Sequence, residues 1–426
     1  MRIKTNIIFL YADSMRRDLS TCYILEQILN ERGFKTLICC RRNFLRLLRL
    51  VEPRQLFIVG QVDMFHQQSI QRAAKNHQTY IYFMPAEGFA SDAEYVNMYP
   101  KDVDYSFIQA VFFWGKNSLE WFEKNRPSGN AKALRRTGYA RLPIAREYSA
   151  IGGRGGKKIG FVGRFPALND IYKRSMMRFL VSEKSASERA KLMARQDSEA
   201  KAMNCYIELF EFIVENTNLQ VSLRPHPNED VTTYQAFIKR FGERFEIDQS
   251  FDVAEWMASC HAIVGMASSS FIDAHEVNTP VICIDKYLGC QSGTLLFDPA
   301  LEWMYESCHL PNSLDDIKAL LLGESLRSVA SERFTTLIAE DFRGDSDTVF
   351  ETIASEILEN SLKPKPLDNA LLIFLRFLDF VLASLHFVRR NNALQFDYSS
   401  YYHPISAKLK NVSAEIRKRV NLALPF

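Results

Sequence analysis

The alternation of short apolar runs with longer amphipathic stretches most constrains the fold of this chain. In the first third, runs rich in Ile, Val, Phe, Leu and Tyr have the length of strands, and the stretches between them have helical spacing. The expected strands are 6–12, 35–40, 55–60, 79–84 and 110–115, and the expected helices are 17–33 and about 66–77. Buried strands that alternate with helices form parallel sheets covered on both faces. We therefore expect an α/β fold that begins with a Rossmann-like domain.

A second alternating series follows the glycine-rich, basic segment SAIGGRGGKK at 149–158, which we interpret as a linker. Its expected strands are 158–163, 219–224, 245–247, 261–266 and 280–285, with helical regions at about 170–216 and 232–240. The prolines of SLKPKPLD at 361–368 end the last helix of this series. We predict domains at 1–150 and 151–360, both Rossmann-like, and an amphipathic helical extension at 361–426.

The composition excludes several classes of protein. Of the 426 residues, 47% are hydrophobic and 24% are charged, which is typical of a globular protein, and the net charge of +3 is too small to indicate nucleic-acid binding. The eight cysteines form no CxxC pair, so we expect reduced thiols in a cytoplasmic protein. The N-terminal apolar run has no cleavage site after it and is interpreted as a strand. No apolar stretch is long enough to span a bilayer.

Two segments leave open a contact with a membrane surface. In 367–388, Asp368, Arg376, Asp379 and His386 share one narrow side of a helix, and the rest of the helix is apolar. Such a helix packs across the junction of the two domains or lies in a membrane interface. The segment RRNFLRLLRL at 41–50 leaves the same choice between a solvated arginine face and attraction to anionic lipid.

The stretch VSLRPHPNED at 221–230 ends a predicted strand with His226 between two prolines. In an open α/β sheet the carboxyl ends of the strands line the ligand crevice. Pro225 and Pro227 fix the backbone on both sides of His226, so the imidazole is aimed with little entropy left to lose. We expect His226, with Arg224 and Pro227, to contact a phosphate or leaving group. The alternative is a turn in which His226 only bonds a carbonyl group.

Three serines follow the predicted strand 261–266, at Ser268, Ser269 and Ser270. Serine is a favoured helix cap, and free N–H groups at a helix start attract anions. We expect two adjacent strands, each ending in donors suited to a phosphate. The alternative is a capped helix without a ligand. The pattern is not a P-loop, because the G-x-x-x-x-G-K-[ST] motif is absent.

The first domain offers carboxylates at corresponding positions. Glu87 follows the strand 79–84 in Ala-Glu-Gly, where it could accept the proton of an attacking hydroxyl or be an exposed turn residue. Asp13, Arg17 and Asp18 follow the first strand and are candidates for contact with an acceptor.

This ordered set of motifs resembles bacterial glycosyltransferases that use CMP-activated sugars, among them polysialyltransferases and capsule Kdo transferases. It looks most similar to surface carbohydrate biosynthesis proteins, and CDP-glycerol glycerophosphotransferases share the layout. The further matching residues are Arg17-Asp18-Leu19 with Gly33, Trp114-Gly115, and Thr137-Gly138 with Arg141. The chain departs from the family pattern at Ala86, where a second acid is usual, and in T-G-Y-A-R, which replaces T-G-N-P-R.

The resemblance implies a GT-B fold, in which two Rossmann-like domains with parallel sheets face a central cleft. It implies that domain 1–150 binds the acceptor and that domain 151–360 binds the nucleotide, with no metal and no cofactor besides the nucleotide-sugar co-substrate. By position, His226, Ser268 and Ser269 would hold the nucleotide phosphate, and Glu87 would act as the base.

The resulting hypothesis is a metal-independent glycosyltransferase. It would move a CMP-activated sugar, such as Kdo or a sialic-acid-like sugar, to a capsule polysaccharide or a lipid-linked acceptor, from the cytoplasm or the inner face of the cell membrane. A CDP-glycerol-type glycerophosphotransferase is the first alternative. A UDP-sugar 2-epimerase, which would need Asp273 or Glu276 as its acids, is the second. A noncatalytic nucleotide-sugar-binding partner is the third.

Overall fold

The chain folds into two units, each built around one parallel sheet. The computed structural model describes residues 2–60, 68, 70–74, 79–86, 91–101, 103–126, 131–151, 156–183, 185–250, 252–290, 299–323, 326–344, 348–389 and 405–423. Unit 1 consists of Met1–Glu147 together with Thr336–Phe426, and unit 2 is the continuous segment Tyr148–Thr335.

The sheet of unit 1 has six parallel strands in the order β2-β1-β3-β4-β5-β6. The strands are β1 (Ile3–Ala12), β2 (Thr36–Cys40), β3 (Val51–Gly60), β4 (Tyr80–Pro85), β5 (Ala110–Phe113) and β6 (Ala133–Arg136). Apart from the polar first halves of β1 and β3, strands β1 to β5 are near-continuous apolar runs, as expected for strands buried on both faces. The strand order reverses between β1 and β3, where a crevice opens at the carboxyl ends of an α/β sheet.

The helices of the first part of the chain whose bounds are described alternate with these strands, and residues 70–74 are also helical. The helices with described bounds are α1 (Met15–Glu31), α2 (Arg41–Leu50), α3 (Asp92–Met98), α4 (Lys116–Asn125) and α5 (Arg141–Ile151). Helix α2 buries Phe44, Leu47 and Leu48, while Arg46 and Arg49 are exposed. The 3.6-residue period of its apolar positions therefore sets which side faces the sheet.

The sheet of unit 2 has five parallel strands in the order β11-β10-β7-β8-β9. They are β7 (Lys158–Val162), β8 (Gln220–Arg224), β9 (Phe245–Ile247), β10 (Ala262–Gly265) and β11 (Val281–Cys283). The helices are α6 (Met176–Ser182), α7 (Ala186–Asn216), α8 (Gln235–Phe241), α9 (Val253–Ala258), α10 (Phe271–Glu276), α11 (Leu314–Leu322) and α12 (Glu332–Ile338). The order reverses between β7 and β10, so the second crevice is expected there.

The long helix α7 forms one side of the core of unit 2. Its start is fixed by a capping box in which Ser185 and Glu188 each bond the backbone N–H of the other. Its inner face buries Tyr206, Leu209 and Phe210 against the sheet. The Tyr206 hydroxyl lies 2.9 Å from the carbonyl oxygen of Val162 and 3.3 Å from that of Val264, so it ties α7 to β7 and β10.

After α12 the chain returns to unit 1 and adds three helices. These are α13 (Val349–Glu359), α14 (Pro366–Arg389) and α15 (Ala407–Ala423). Helix α14 packs on β1, β2 and α2, and α15 packs on α1 and α13. Gln55 of β3 donates a hydrogen bond of 2.6 Å to the carbonyl oxygen of Ile357, so buried polar groups join the two ends of the chain.

The predicted α/β fold of the GT-B type, with two parallel sheets, is confirmed in its sheets and helices. Strand β6, ALRR, was missed because only its first two residues are apolar and none of the four is buried. Of the predicted helix at 66–77, residues 68 and 70–74 are described and are helical, and the rest lies outside the described residues, as do Gly152, Gly153 and Gly155 of the predicted linker. The predicted boundaries were 150 and 360, whereas the structural units divide at 147 and 335.

Two other features bear on the sequence analysis. The described cysteine side chains are Cys22, Cys39, Cys205, Cys260, Cys283, Cys290 and Cys308, and all are buried and free. In the described part of the chain, none of the helices has the length and hydropathy needed to cross a bilayer.

Candidate functional site

The loops that carry the predicted donors lie at the carboxyl edge of the sheet of unit 2. His226 follows β8 and the serines follow β10, but β7 lies between these two strands. The expectation that the two strands are adjacent was therefore wrong. Two strand spacings place the loops about 10 Å apart at the backbone. The loop after β7 lies between them, so its residues belong to the same edge.

Arg164 is the residue of that middle loop that the sequence analysis missed. It is half-buried, and its guanidinium donates a hydrogen bond to the carbonyl oxygen of Ala267, which directly precedes Ser268. The side chain thus crosses from the end of β7 to the end of β10, at the point where the strand order reverses. The signal was present in the sequence, because Gly163-Arg164 follows a correctly predicted strand at its carboxyl end.

Gly163 allows the loops after β7 and β8 to touch. Its N–H donates a hydrogen bond of 2.7 Å to the carbonyl oxygen of Arg224. A Cβ atom at this position would lie 2.8 Å from the Cα atom of Pro225, which is too close for any side chain. The absence of a side chain at Gly163 therefore brings Arg164 and His226 to one edge.

The imidazole of His226 is oriented as a hydrogen-bond donor. Its Nδ1 atom accepts a hydrogen bond of 3.1 Å from the backbone N–H of Asn228, and the ring is half-buried. A neutral imidazole whose Nδ1 accepts carries its proton on Nε2. The carbonyl oxygen of His226 accepts the N–H of Glu229 at 3.0 Å, which closes the turn. Pro225 is buried, while Pro227 is exposed at the tip of the loop.

The guanidinium of Arg224 contacts the other side of the sheet. It is buried, pairs with Asp248, donates a hydrogen bond of 3.0 Å to the Ser250 hydroxyl and lies 5.7 Å from the ring of Trp256. Asp248 and Ser250 follow β9, on the side of β8 away from β7. The described contacts of Arg224 therefore stabilise the loop after β8 and do not join it to the serines.

The three serines form a compact turn in front of α10. The hydroxyls of Ser268 and Ser270 are 2.9 Å apart, and the N–H of Ser270 donates to the Ser268 hydroxyl at 3.3 Å. Ser270 precedes the helix but does not cap it with its side chain, and α10 has only six residues. The N–H groups that could bind an anion therefore belong to the serine turn, and a capped helix does not supply them. Among the described residues, the backbone N–H groups of Ser268 and Ser269 have no intramolecular acceptor.

A buried carboxylate holds the serine turn in place. Asp285, which follows β11, accepts the N–H of Ala267 at 3.2 and 3.3 Å and the hydroxyl of Tyr305 at 2.8 Å. Burial raises the pKa of Asp285, while the hydrogen bond from Tyr305 and the nearby Arg164 oppose that rise. Because Arg164 binds the carbonyl oxygen of Ala267 and Asp285 binds its N–H, the start of the turn is fixed on both sides.

Two further carboxylates hold the loop after β7. Glu229 accepts the N–H of Phe165 at 2.7 Å and the hydroxyl of Tyr234 at 2.6 Å. Glu199 of α7 accepts the N–H groups of Ala167 and Leu168, both at 2.8 Å. Burial raises the pKa of Glu229 to about 7, against the opposing effect of its hydrogen bonds. These contacts make the loop that carries Arg164 a rigid part of unit 2.

In unit 1 the structure brings Asp13, Arg17 and Asp18 together. The Arg17 guanidinium lies 2.8 Å from Asp18 and 3.3 Å from Asp13. Asp18 also accepts the N–H of Ser14 at 2.9 Å, and burial raises its pKa although Arg17 opposes this. A Cβ atom on Gly60, the last residue of β3, would lie 2.8 Å from that of Asp13. The cluster therefore lies where the strand order of this sheet reverses.

The candidate base Glu87 lies outside the described residues. Strand β4 ends at Pro85 and is followed by the buried Ala86, as the sequence predicted for the segment before Glu87. Asp273 and Glu276, either of which was considered as the acid of an epimerase, are both buried in α10. Among the described residues, no group of three or more His, Cys, Asp or Glu side chains has an arrangement that could hold a metal ion.

The other motif residues of unit 1 surround one turn of the returning chain, Ala339–Arg343. A Cβ atom on Gly115 would lie 2.1 Å from the carbonyl oxygen of Glu340, and one on Gly138 would lie 2.4 Å from that of Arg343. The ring of Trp114 lies 5.7 Å from that of Phe342, and its Nε1 donates to the carbonyl oxygen of Pro85 at 2.9 Å. These glycines are required by close packing within unit 1.

The chain matches no protein-family model and no curated protein. It is similar to solved structures at low identity. An H444N variant of the wall teichoic acid polymerase TagF aligns with a TM-score of 0.52 and 10% identity, over 83% of this chain and 88% of that one. A Staphylococcus aureus MnaA–UDP structure aligns with a TM-score of 0.47 and 13% identity, over 86% and 99% of the two chains. A Neisseria meningitidis UDP-GlcNAc 2-epimerase bound to UDP-GlcNAc gives 0.45 and 10%, over 84% and 100%. The likeness to TagF supports the fold described above.

Proposed function

We propose that this chain is a glycosyltransferase of the GT-B type that takes a sugar from a cytidine-linked donor, in the first place a CMP-sugar. The acceptor would be a surface glycan, such as a capsule polysaccharide, or a glycolipid. One observation carries this proposal. Donor groups of His226, Arg164 and the serine turn follow three neighbouring strands of unit 2, at the edge where the strand order reverses.

These groups suit the departure of a nucleotide phosphate. As the bond between the anomeric carbon and the phosphate oxygen breaks, negative charge grows on the phosphate of the leaving CMP. The Nε2–H of His226, the guanidinium of Arg164 and the N–H groups of Ser268 and Ser269 would stabilise that charge. Because Asp285, Glu199 and Glu229 fix the loops beforehand, little reorganisation is needed at the moment of reaction. In this proposal, these donors stabilise the phosphate charge without a metal ion.

The acceptor contacts are assigned to unit 1. The Asp13, Arg17 and Asp18 cluster lies at the corresponding edge of its sheet. Asp18 is buried and positions Arg17, whereas Asp13 is only partly buried, so we assign contact with acceptor hydroxyls to Asp13 and Arg17. Glu87 is assigned as the base that takes the proton of the attacking hydroxyl, on the basis of the resemblance alone.

A panel of CMP-, CDP-, UDP- and GDP-linked compounds tests the donor. A CMP-sugar is expected to raise the Tm of the full chain, because a ligand that binds only the folded state stabilises it. Stabilisation by UDP-sugars alone would contradict the proposal and favour an epimerase. Stabilisation by CDP-glycerol in place of the CMP-sugar would indicate a phosphotransferase. Release of CMP only when an acceptor is present distinguishes a transferase from a binding protein, and Glu87→Gln should suppress it.

Arg164 is the residue whose substitution tests the site most directly. The loss of a charge-assisted hydrogen bond weakens binding by roughly 1.5–3 kcal/mol, so Arg164→Gln should raise the Kd for CMP about 10- to 100-fold. The matched control is Arg178→Gln, which removes the same charge from an exposed position of α6. His226→Ala should reduce turnover more than binding, by about 100-fold or more, if its proton stabilises the transition state. An unchanged Kd for CMP in Arg164→Gln would show that the phosphate does not bind at this edge of the sheet.

A further inference from the structure

Helix α14 has the charged residues of its first five turns directed toward unit 1. Between Pro366 and Ser384 the only charged residues are Asp368, Arg376 and Asp379. Asp368 is buried and accepts a hydrogen bond of 2.6 Å from the Thr5 hydroxyl. Asp379 is buried and accepts one of 2.6 Å from the Asn43 amide, and Arg376 pairs with Glu26 at 3.2 Å. All three charges are therefore used in packing the helix on its own unit.

The opposite side of α14 is apolar and exposed. We call this side the outer face; it consists of Leu367, Ile373, Phe374 and Phe377, which are 64%, 72%, 53% and 64% exposed. On a helix at the surface of a globular protein the polarity normally runs the other way, with apolar residues inward and charges outward. Exposed apolar patches of this kind mark sites of contact with another molecule or with a membrane.

Exposed arginines lie on α2, the helix that packs on α14. Helix α2 packs on α14, with Asn43 bonded to Asp379. Arg46 and Arg49, one and two turns further along α2, are exposed, and within the described residues neither forms an ion pair with an acid. Leu50, at the end of α2, is also exposed. An exposed apolar face next to a helix with exposed, unpaired arginines is complementary to a membrane surface, where apolar acyl chains lie beneath anionic headgroups.

We propose that the outer face of α14, together with Arg46 and Arg49, docks this protein on an anionic lipid bilayer. The four apolar side chains would enter the boundary between headgroups and acyl chains, with the helix lying in the plane of the interface. Each arginine would contact lipid phosphates and contribute about five-fold in affinity. The buried pairs of Asp368 and Asp379 keep the carboxylates of α14 away from that anionic surface.

A second copy of the chain fits the face less well. Symmetric pairing of two outer faces would place the same patch against itself, so the uncompensated arginines of both copies would lie near one another. That repulsion is absent when the partner is an anionic membrane. The docking of this face does not depend on the chemistry proposed for unit 2, so the two proposals can fail separately.

Flotation of the full chain with lipid vesicles tests the proposal. The protein is mixed with vesicles of phosphatidylcholine alone, or of phosphatidylcholine with about 30% phosphatidylglycerol, and the floating fraction is measured at several lipid concentrations. The wild type should float with the anionic vesicles. Phe374→Ser with Phe377→Ser should weaken that binding at least about 10-fold. Arg46→Gln with Arg49→Gln should weaken it about 25-fold, and added salt should also weaken the binding of the wild type.

The matched control is Met177→Ser with Val181→Ser on α6, where the two side chains are 66% and 77% exposed. It removes comparable apolar surface from unit 2 and should leave vesicle binding unchanged. Circular dichroism melting of each variant verifies that the fold is retained. The proposal is overturned if the wild type does not float, if the folded Phe374 and Phe377 variant floats like the wild type, or if the control loses binding equally. It is also overturned if the wild type is a dimer that this variant converts to a monomer without any vesicle binding.

Discussion

Glu229 shows how a single buried residue shapes the proposed site. It follows the His-Pro turn by two positions, yet its carboxylate bonds the backbone of Phe165 in the loop after β7. Only 1% of its surface is exposed, and its second oxygen accepts the hydroxyl of Tyr234. The residue therefore holds the loop of Arg164 against the loop of His226. Its ionisation matters because burial disfavours the charged form.

The pH dependence of stability follows from that burial. The pKa of Glu229 is about 7 in the folded chain and about 4.5 when unfolded, so the folded state binds the proton more tightly. The stability contributed by the protonated carboxyl is complete below pH 4.5 and is lost as the pH rises through 7. Glu229→Gln removes this titration. Between pH 4.5 and 7.5 the free energy of unfolding of the wild type should fall relative to the variant by on the order of 3 kcal/mol.

Urea unfolding at half-unit steps of pH measures this difference. Comparing the two proteins at each pH cancels the titration of all other groups that the substitution leaves unchanged. Glu199→Gln is a useful companion, since Glu199 holds the same loop but pairs with Arg195 at 2.8 Å and is thus partly compensated. A difference between wild type and Glu229→Gln that does not vary with pH would show that folding does not raise the pKa of Glu229.

At the residue scale, the sequence identified donors but not their supports. His226 and the serines could be found because they directly follow strands, and strand ends are visible as the end of an apolar run. Arg164 could have been found by the same rule. Glu199 and Asp285 could not, because their partners are backbone N–H groups 32 and 18 positions away, and such contacts leave no local pattern.

At the scale of elements, the turn Ala339–Arg343 explains three glycines of unit 1. Gly138 has a φ of +91°, and Gly344 has a φ of +49°, with its Cβ position only 2.4 Å from the backbone nitrogen of Gly138. Asp341 is held by the Tyr95 hydroxyl at 2.6 Å and the Asn117 amide at 3.0 Å. The turn is thereby held against α3 and α4.

Gly138→Ala should destabilise unit 1 more than a change of backbone preference explains. The added methyl group would lie 2.4 Å from the carbonyl oxygen of Arg343, so the backbone of the turn must move. The control is Gly242→Ala, whose φ is +59° but whose Cβ would meet nothing within 4 Å. The control should lose about 1–2 kcal/mol from backbone strain, and Gly138→Ala an additional 1–3 kcal/mol, roughly, from the clash. Equal losses in thermal or urea unfolding would contradict the packing argument.

The positions of the strands could be predicted from the sequence, but their order in the sheet could not. Apolar runs located ten of the eleven strands in the described part of the chain, because a strand buried on both faces needs them. Strand order is different, since it depends on which edges pair after the chain has folded. That is why β8 and β10 were expected side by side, although β7 separates them. Arg164, which the sequence analysis missed, lies in the loop that follows β7, the strand whose central position was not foreseen.

At the scale of the molecule, the two units differ in which segments of the chain they contain. Unit 2 is continuous, and its core is formed by α7 and its own sheet. Unit 1 combines both ends, and buried hydrogen bonds such as Thr5 to Asp368 and Gln55 to Ile357 join segments more than 300 positions apart. The apolar pattern of α14 gave no sign of this, because its two carboxylates are buried and several of its apolar residues are exposed, the reverse of the usual arrangement on a surface helix.

This construction predicts how fragments behave. A fragment of residues 148–338, which keeps α12 whole, should unfold cooperatively and retain nucleotide binding, since the groups of the proposed phosphate site lie within it. A fragment of residues 1–147 should not fold alone, because removal of α13, α14 and α15 would expose apolar surface of β1 and α1 and leave Thr5, Asn43 and Gln55 without their buried partners. Thermal unfolding followed by circular dichroism, with and without CMP, measures both. A cooperative transition in 1–147, or its absence in 148–338, would contradict the division. Binding of CMP by 148–338 with the affinity of the full chain would place the donor site entirely in unit 2, and its loss on Arg164→Gln in this fragment would identify the edge.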